Sequence, residues 1–214
     1  MTDVCRSWLG ETWLAVLREV VRSGSAVGEE TRELVNVRVS FSETPARDPV
    51  LARFGSRTQV EEMRKVFFSP GANAFGHSYA GQLRGPLGRA DLSDVCELLL
   101  AEPCSKRAVL TAAGNGDGRV PCISAIHFLR RPEGLLVNYF ARGQDVFHKF
   151  CADGVCIFET GERVAGRLGV PVAAVTGMVS SAHVYLSDLP CIEALLAEAE
   201  AWQRRASAPG VAAP

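Results

Sequence analysis

Two apolar runs joined by a turn signal, at residues 122 to 142, constrain the fold of this chain most strongly. The runs are CISAIHFLRR and GLLVNYFAR, and the residues RPEG connect them. Pro and Gly in so short a connection are typical of a hairpin turn, and the flanking runs are typical of strands. These residues therefore predict a hairpin around which the chain must build a sheet.

Further strands and helices are predicted on both sides of this hairpin. Alternating or apolar runs predict strands at residues 33–41, 107–113 and 179–188. Helical spacing of apolar residues predicts helices at residues 7–22, 59–68, 91–103 with Asp91 as a cap, from near Val155 to Leu168, and 192–202. The pattern predicts an α+β fold with a mixed or antiparallel sheet and helices packed on it. We expect one domain over residues 1–205 and a flexible Ala/Pro/Gly-rich tail at 206–214.

Composition and charge exclude several classes of partner and site. The chain has 214 residues, of which 47% are hydrophobic, and a formal net charge of -1, so no basic surface predicts nucleic acid or an anionic membrane as a partner. The N-terminus carries no secretory pattern, and no apolar run is long enough to span a bilayer. Seven cysteines without a CxxC pair argue against a disulfide framework and a structural metal site. We therefore expect a reduced, cytoplasmic protein.

Four polar groups at predicted strand ends could form a chemical site. They are Cys122 directly after a proline, the segment ARGQD with Arg142 and Asp145, the loop pair Lys106 and Arg107, and the pair His183 and Tyr185 on one face of a strand. Together they offer a thiol, cations suited to a phosphate, and side chains able to bond a sugar, an inventory that fits a nucleoside monophosphate. Separately, each also fits a structural role: a core thiol, a solvated loop, a cation closing the hairpin, or a bonded core pair.

The order of four motifs resembles the thymidylate synthase family. The segment YAGQLR at 79–84 matches the family's Tyr-Gly-x-Gln-Trp-Arg segment, and Pro121-Cys122 matches its Pro-Cys nucleophile. RGQDVF at 142–147 matches Arg-Ser-x-Asp, and AHVYLSD at 182–188 matches the family's His-x-Tyr segment. The resemblance covers about half of the chain and implies a thymidylate synthase-like catalytic domain.

This resemblance assigns roles to the residues of the motifs. It implies that the Cys122 thiolate adds to C6 of a pyrimidine, which makes C5 able to attack a one-carbon unit carried by 5,10-methylenetetrahydrofolate. Tyr79 and Glu62 (or Glu61) are the candidates for moving protons, although an exposed helix face explains the glutamates equally well. The resemblance implies nucleotide binding by Arg142, Asp145, His183 and Tyr185. It also implies a homodimer in which Lys106 and Arg107 reach the partner's phosphate.

One departure from the family indicates the base. The family's asparagine that contacts the uracil edge corresponds to Asp153, and the same exchange marks the cytidylate and deoxycytidylate 5-hydroxymethylases within the family. A protonated or water-bridged carboxyl complements the N3 and N4 positions of cytosine. The alternative is that Asp153 caps a helix that starts near Val155.

Other departures affect the folate and phosphate segments. HKFCA at 148–152 replaces the family's Leu-Gly-Leu-Pro-Phe run, Ile123 replaces the histidine after the nucleophile, and GEETREL stands in place of the N-terminal phosphate loop, with Arg32 as a substitute. We expect hydroxymethylation of CMP, or of dCMP, in a pathway such as nucleoside-antibiotic synthesis. The alternatives are methylation of dUMP or UMP and a non-catalytic nucleotide-binding protein.

Overall fold

A computed structural model describes residues 1–70, 78–89, 92–112 and 120–206. The strands are β1 Thr2–Cys5, β2 Ser25–Val27, β3 Thr31–Phe41, β4 Leu83–Arg84, β5 Val109–Ala112, β6 Ile123–Arg131, β7 Gly134–Ala141, β8 Gln144–Asp145 and β9 Val172–Tyr185. The α-helices are α1 Leu9–Ser23, α2 Pro49–Phe54, α3 Arg57–Phe68, α4 Tyr79–Gln82, α5 Ser93–Ala101, α6 Phe150–Leu168 and α7 Leu189–Ala206. Two single-turn 3-10 helices lie at Pro45–Arg47 and Leu186–Asp188.

The strands form one mixed sheet, which confirms the predicted α+β class. Its order is β1-β3-β9-β7-β6-β5-β4, with β2 added to β3 and β8 added to β9. The long strand β9 runs antiparallel to β3 and parallel to β7. Because β7 and β9 are parallel, the chain between them must cross over the sheet, and α6 makes that crossing.

The predicted hairpin is confirmed as β6 and β7. The strands pair antiparallel from Ile123 opposite Ala141 to Arg131 opposite Gly134, which leaves Pro132 and Glu133 as the loop. Gly134 has a φ of 133°, a conformation that a side chain would strain. This glycine therefore lets the chain turn back immediately into β7.

Helices α1 and α6 cover one face of the central strands. Both helices contact β9 and also contact each other, so they lie on the same face. Alternate residues of β7, Val137 and Tyr139, are buried against this layer, whereas Asn138 and Phe140 point to the opposite face and are less buried. The sheet thus has a helix-covered face and an open face, and the open face includes the exposed side chains of Val35 and Phe140.

Three local predictions need correction or lie outside the described residues. Helix α6 begins at Phe150, five residues before the predicted start near Val155. Helix α5 follows Leu92 with no side-chain cap, and the expected cap Asp91 lies outside the described residues. Of the expected tail at 206–214, Ala206 ends helix α7 and residues 207–214 lie outside the described part.

Within the described part of the chain, no helix has the length and apolar character needed to cross a membrane.

Candidate functional site

Cys122 lies at the entrance to β6 with its side chain exposed, while Pro121 and Ile123 on either side are buried. Arg142 holds this segment from the neighbouring strand. Its backbone N–H donates to the Cys122 carbonyl over 2.9 Å, and its guanidinium donates to the carbonyls of Val120 (2.7 Å) and Pro121 (3.3 Å). Charge-assisted bonds of this kind are stronger than neutral ones. The thiol therefore sits on a segment that is fixed on both sides.

Tyr79 lies directly beneath this segment. Its hydroxyl accepts a hydrogen bond of 3.1 Å from the backbone N–H of Ile123, and its ring packs against Phe67 with ring centroids 4.6 Å apart. Burial raises the pKa of the Tyr79 phenol strongly, and the neighbouring Asp153 carboxylate raises it further. Tyr79 is therefore a neutral phenol whose O–H can donate a hydrogen bond beside Cys122.

Asp153 is buried in the first turn of α6 and does not cap the helix. Its own backbone N–H already donates to the Lys149 carbonyl, as an interior helical residue does. Burial raises the pKa of the Asp153 carboxyl to about 7, although a hydrogen bond from Gln144 and the charge of Lys149 act in the opposite direction. The cap alternative is thus wrong, because α6 starts earlier than expected, and Asp153 is a buried acid that titrates near neutral pH.

Asp145, His183 and Tyr185 lie together where β8 joins β9. Asp145 pairs with His183 in parallel register, and the rings of His183 and Tyr185 meet edge to face with centroids 6.0 Å apart. The Asp145 carboxylate accepts hydrogen bonds from the backbone N–H groups of Phe147 and His148, which closes the turn into α6. The His183 and Tyr185 side chains are partly or largely open to solvent.

The strand registers bring these residues to one end of the sheet. Ile123 pairs with Ala141, Ala141 pairs with Val179, and β9 continues from Val179 to His183 and Tyr185. The thiol, the Arg142 guanidinium, and the His183 and Tyr185 side chains therefore lie at neighbouring strand ends. Asp153 and Tyr79 approach the same end from the helical layer.

Lys106 and Arg107 lie away from this end within one chain. The Lys106 carbonyl contacts the His127 ring nitrogen at 3.1 Å, and Arg107 is exposed and forms a 2.7 Å ion pair with Glu102. His127 is four residues further along β6 than Ile123, a distance of about 14 Å along a strand. These two cations are accordingly placed beside the open face of the sheet and not beside their own Cys122.

The glutamates and Arg32 also lie apart from the thiol. Glu62 is exposed on α3, and Glu61 lines a cavity between α2, α3 and α6. Arg32 pairs with Val184, whose side chain is buried on the face opposite to His183, and its guanidinium donates to the Val21 carbonyl over 2.6 Å. Arg32 is therefore wrong as a substitute for the phosphate loop, because it serves the end of α1.

Two cavities beside α6 differ in their charge. The first, of about 320 Å³, is lined by acids, including Asp48, Glu61, Glu159 and Glu162, together with two arginines. The second, of about 300 Å³, has Tyr79 in its wall. Its other walls include Phe67, Phe68, Arg163 and Arg167, and the Arg163 guanidinium lies 3.7 Å over the Phe68 ring. Aromatic walls with two cations suit an aromatic molecule that carries carboxylates, such as a folate, and the acidic cavity does not.

Gln144 is the residue of the site that the sequence interpretation missed. It is buried on β8 between Arg142 and Asp145, and its Nε2 donates to Oδ2 of Asp153 over 3.2 Å. The available signal was a long polar residue inside a short segment that otherwise matched a motif. Nothing in the sequence places that amide against Asp153, which lies nine residues later at the start of another element.

Comparisons with known proteins show similarity in sequence and in fold. No family model matches the chain. A curated protein named "Putative thymidylate synthase" from Methanothermobacter marburgensis is 24% identical over 200 residues, covering 83% of this chain and 90% of that protein. One with the same name from Methanosarcina mazei is 26% identical over 197 residues, covering 86% of this chain and 90% of that protein.

The fold has a counterpart among solved structures. The structure of thermostable thymidylate synthase A from Bacillus subtilis superposes with a TM-score of 0.67 and 12% identity, covering 87% of this chain and 83% of that one. At this identity the superposition shows the fold alone. The similarity in sequence comes from the curated relatives. The chain is therefore thymidylate synthase-like in sequence and has the thymidylate synthase fold.

Proposed function

We propose that this chain transfers a one-carbon unit from 5,10-methylenetetrahydrofolate to C5 of a pyrimidine nucleoside monophosphate, converting CMP to 5-hydroxymethyl-CMP. The observation that carries the proposal is the arrangement around Cys122. An exposed thiol, a buried neutral phenol and a buried acid that titrates near pH 7 approach one end of the sheet. Pyrimidine C5 chemistry requires a nucleophile at C6 and a means of moving the C5 proton.

Cys122 is the nucleophile of the proposed reaction. Addition of its thiolate to C6 turns the ring into an enolate-like or enamine-like species in which C5 is electron-rich, so C5 can attack the incoming one-carbon unit. The bonds from Arg142 to the carbonyls of Val120 and Pro121 hold the thiol segment in place, which supports attack from a defined direction. The one-carbon unit would leave the folate nitrogen as it bonds to C5, and loss of the C5 proton followed by addition of water to the methylene carbon would give the hydroxymethyl group. Expulsion of the thiolate from C6 then restores the ring and releases the product.

Tyr79 is the proposed proton carrier next to the thiol. Its hydroxyl is bonded to the backbone of Ile123, so its position relative to Cys122 is set by the fold. A neutral phenol can pass a proton through an adjacent water when C5 loses its hydrogen. Glu62, which is exposed on α3, remains a weaker candidate for the base.

The folate would be held in the cavity lined by Tyr79, Phe68 and Arg163, whose aromatic and cationic groups fit its ring systems and carboxylates. When bound, the folate supplies the methylene carbon, and for methylation it also supplies a hydride. Phe67 and Phe68 would exclude water from one side of the ring. Arg163 and Arg167 would bind the negative end.

Base recognition is assigned to Asp153. As a neutral carboxyl it can accept a hydrogen bond from the N4 amino group of cytosine and donate one to N3. Its burial and its pKa of about 7 support a large neutral fraction at physiological pH. His183 and Tyr185 would bind the sugar hydroxyls. Arg142 would lie beside the phosphate, and Asp145 would hold the turn that leads into α6.

The proposed active species is a homodimer formed through the open face of the sheet. That face carries partly exposed apolar side chains such as Leu136, Met178 and Phe140, which a single chain leaves uncovered. Lys106 and Arg107 lie beside this face and far from their own Cys122. A second copy packed there would allow each chain's pair of cations to reach the phosphate held by the other chain.

Release of tritium from C5 of CMP, dCMP, UMP and dUMP tests this function directly. We expect release from a cytidine nucleotide to exceed release from its uridine counterpart, and a hydroxymethyl product in the presence of the folate. Asp153→Asn should shift the preference about tenfold or more towards uracil. Release from none of the four nucleotides would contradict the proposal.

A second candidate, methylation of dUMP, is favoured by the name that the curated relatives carry. Exclusive release from dUMP with a methyl product would establish this candidate instead.

A further inference from the structure

The buried pair Gln144 and Asp153 carries an inference that rests on the proposed function and concerns its base specificity. Both side chains are buried, with 3% and 5% exposure, and the Gln144 amide donates to Oδ2 of Asp153. The other end of the amide, Oε1, has no hydrogen-bond partner in the described part of the chain. Among residues 1–70, 78–89, 92–112 and 120–206, the Gln144 side chain thus has its polar contact with Asp153 alone.

A neutral carboxyl alone cannot distinguish cytosine from uracil. It offers one O–H donor and one acceptor oxygen, and the proton can reside on either oxygen. Cytosine presents an acceptor at N3 and a donor at N4, whereas uracil presents a donor at N3 and an acceptor at O4. A carboxyl whose proton moves freely from one oxygen to the other matches both edges in the same orientation.

We propose that Gln144 is the specificity-determining partner of Asp153, because its N–H keeps Oδ2 as an acceptor and so places the carboxyl proton on Oδ1. With the proton fixed, the order of donor and acceptor along the carboxyl is fixed too. Only one of the two pyrimidines then matches the edge, and the other places donor against donor and acceptor against acceptor. Gln144 does not touch the reacting atoms, so it is a positioning residue.

The orientation of the amide is set by the charge of its partner. The reverse orientation would turn Oε1 towards Asp153, and this oxygen would repel the carboxylate whenever Asp153 is ionised. An unpartnered buried carbonyl is a cost that the observed orientation carries, and the bond to Asp153 offsets it. The ionised form of Asp153 therefore selects the observed orientation, in which Oδ2 accepts from the amide.

Compared with the titratable groups around it, the Asp153 carboxyl is the group that changes charge near neutral pH. Lys149 favours its ionised form and Asp145 its neutral form. Its other titratable neighbours stay neutral in this range, because burial raises the pKa of each; they are Tyr79, Tyr139, Cys151 and Cys156.

Equilibrium binding of CMP and UMP at pH 6, where Asp153 is mostly protonated, tests the role of Gln144. We expect the wild type to prefer CMP by about tenfold or more, and Gln144→Met to bring the ratio of the two dissociation constants to within about threefold of one. Methionine keeps the length of the side chain and removes the N–H. Ribose 5-phosphate, which has no base, should bind the wild type and this variant equally.

Thr160→Val is the matched control. Thr160 is buried in the same helix as Asp153, and its hydroxyl donates to the Cys156 carbonyl over 2.7 Å. Valine removes this bond without touching Gln144, so the CMP preference should not change. If Gln144→Met does not fold, Gln144→Glu keeps the shape. The carboxyl that this variant places beside Asp153 can either donate to Oδ2 or accept from it, so the Asp153 proton is no longer fixed. The preference for CMP should then fall again.

A second readout is the carboxyl titration of Asp153, followed by carbon NMR. Because the Gln144 hydrogen bond lowers the pKa of Asp153, Gln144→Met should raise it, and Thr160→Val should leave it unchanged. A CMP preference retained in Gln144→Met and in Gln144→Glu would overturn the role of Gln144 and leave the proposed function standing. A wild type that binds neither nucleotide would overturn both proposals.

Discussion

At the scale of single residues, Cys122 differs from its neighbours in the chain in its exposure to solvent, which a nucleophile needs. Pro121 and Ile123 are buried, and Cys122 between them is exposed. Of the other cysteines, Cys96 and Cys156 are buried in the core and Cys104 and Cys191 are exposed on the surface. Exposure alone therefore does not distinguish Cys122, but its place in a segment held by Arg142 and Tyr79 does: Arg142 donates to the carbonyls of Cys122 and Pro121, and Tyr79 accepts from the Ile123 N–H.

Cys122→Ser is expected to lose C5 tritium release by several orders of magnitude while still binding nucleotide. A hydroxyl gives far less of the anionic nucleophile near neutral pH than a thiol does. Cys104→Ser, which changes an exposed cysteine elsewhere, should keep most of the activity. Tritium release retained in Cys122→Ser would exclude the covalent mechanism.

The buried Asp153 carboxyl makes the free energy of unfolding fall as pH rises towards 7. Its pKa is about 7 in the folded chain, against about 3.9 for an unperturbed Asp, so the folded state holds the proton between these values while the unfolded state loses it. The stabilisation is fully present below about pH 4 and is lost as pH rises through about 7.

The comparison of wild type with Asp153→Asn isolates this effect, because asparagine does not titrate. From pH 5 to pH 8 the free energy of unfolding of the wild type should fall by about 2–3 kcal/mol relative to the variant. Urea titrations at both pH values measure this difference. A wild-type advantage that grows with pH would have the opposite sign and would mean that Asp153 is ionised in the folded state.

At the scale of elements, the contact between β7 and β9 depends on a missing side chain. Gly177 of β9 pairs with Tyr139 of β7, and a Cβ at this position would overlap the Tyr139 ring. Tyr139 is buried on the helix-covered face, so its ring cannot move into solvent. The glycine thus allows an aromatic ring to fill the core between the sheet and α6.

Gly177→Ala is expected to destabilise the protein by about 1–3 kcal/mol, because the added methyl group meets a packed ring. Gly166→Ala is the matched control. Gly166 lies in α6, and a Cβ there meets nothing within 4 Å, so alanine should instead stabilise the helix by about 0.5–1 kcal/mol. Thermal unfolding of both variants measures the contrast. Equal effects of the two changes would show that the β7–β9 contact is looser than described.

At the scale of the whole molecule, Lys106 and Arg107 lie beside the middle of β6, whereas the Cys122 thiol of the same chain lies at the end of that strand. Lys106 contacts His127, well along β6 from the strand end at Cys122. The open face of the sheet, which these cations border, offers the surface for a second copy. The proposed dimer would therefore contain two sites, each using residues of both chains.

Mixing two inactive variants tests the shared site. Chains with Cys122→Ser and chains with Arg107→Ala should each be inactive or nearly so as homodimers. After subunit exchange, some heterodimers carry one site with both wild-type residues, so part of the activity should return. Exchange can be followed by a mass tag on one variant. If exchange is complete and no activity returns, Arg107 does not act across the interface.

The sequence by itself determined the local elements and the order of the motifs. The β6–β7 hairpin follows from two strand-like runs and a Pro/Gly turn that are adjacent in the chain, and period-two alternation predicted β3. The positions of Cys122, Arg142 and His183 were found from short motifs. Such features depend on neighbours within a few residues, and these interactions are visible in a sequence.

The tertiary structure alone decided which side chains meet. Tyr79 contacts the backbone of Ile123 across 44 positions of the chain, and Gln144 contacts Asp153 only because α6 begins at Phe150. Arg32 was misassigned because the pairing of β3 with β9 sets its face. Motif spacing does not specify strand order, register or the first turn of a helix. These depend on long-range packing, which selects one arrangement from several that the local sequence permits.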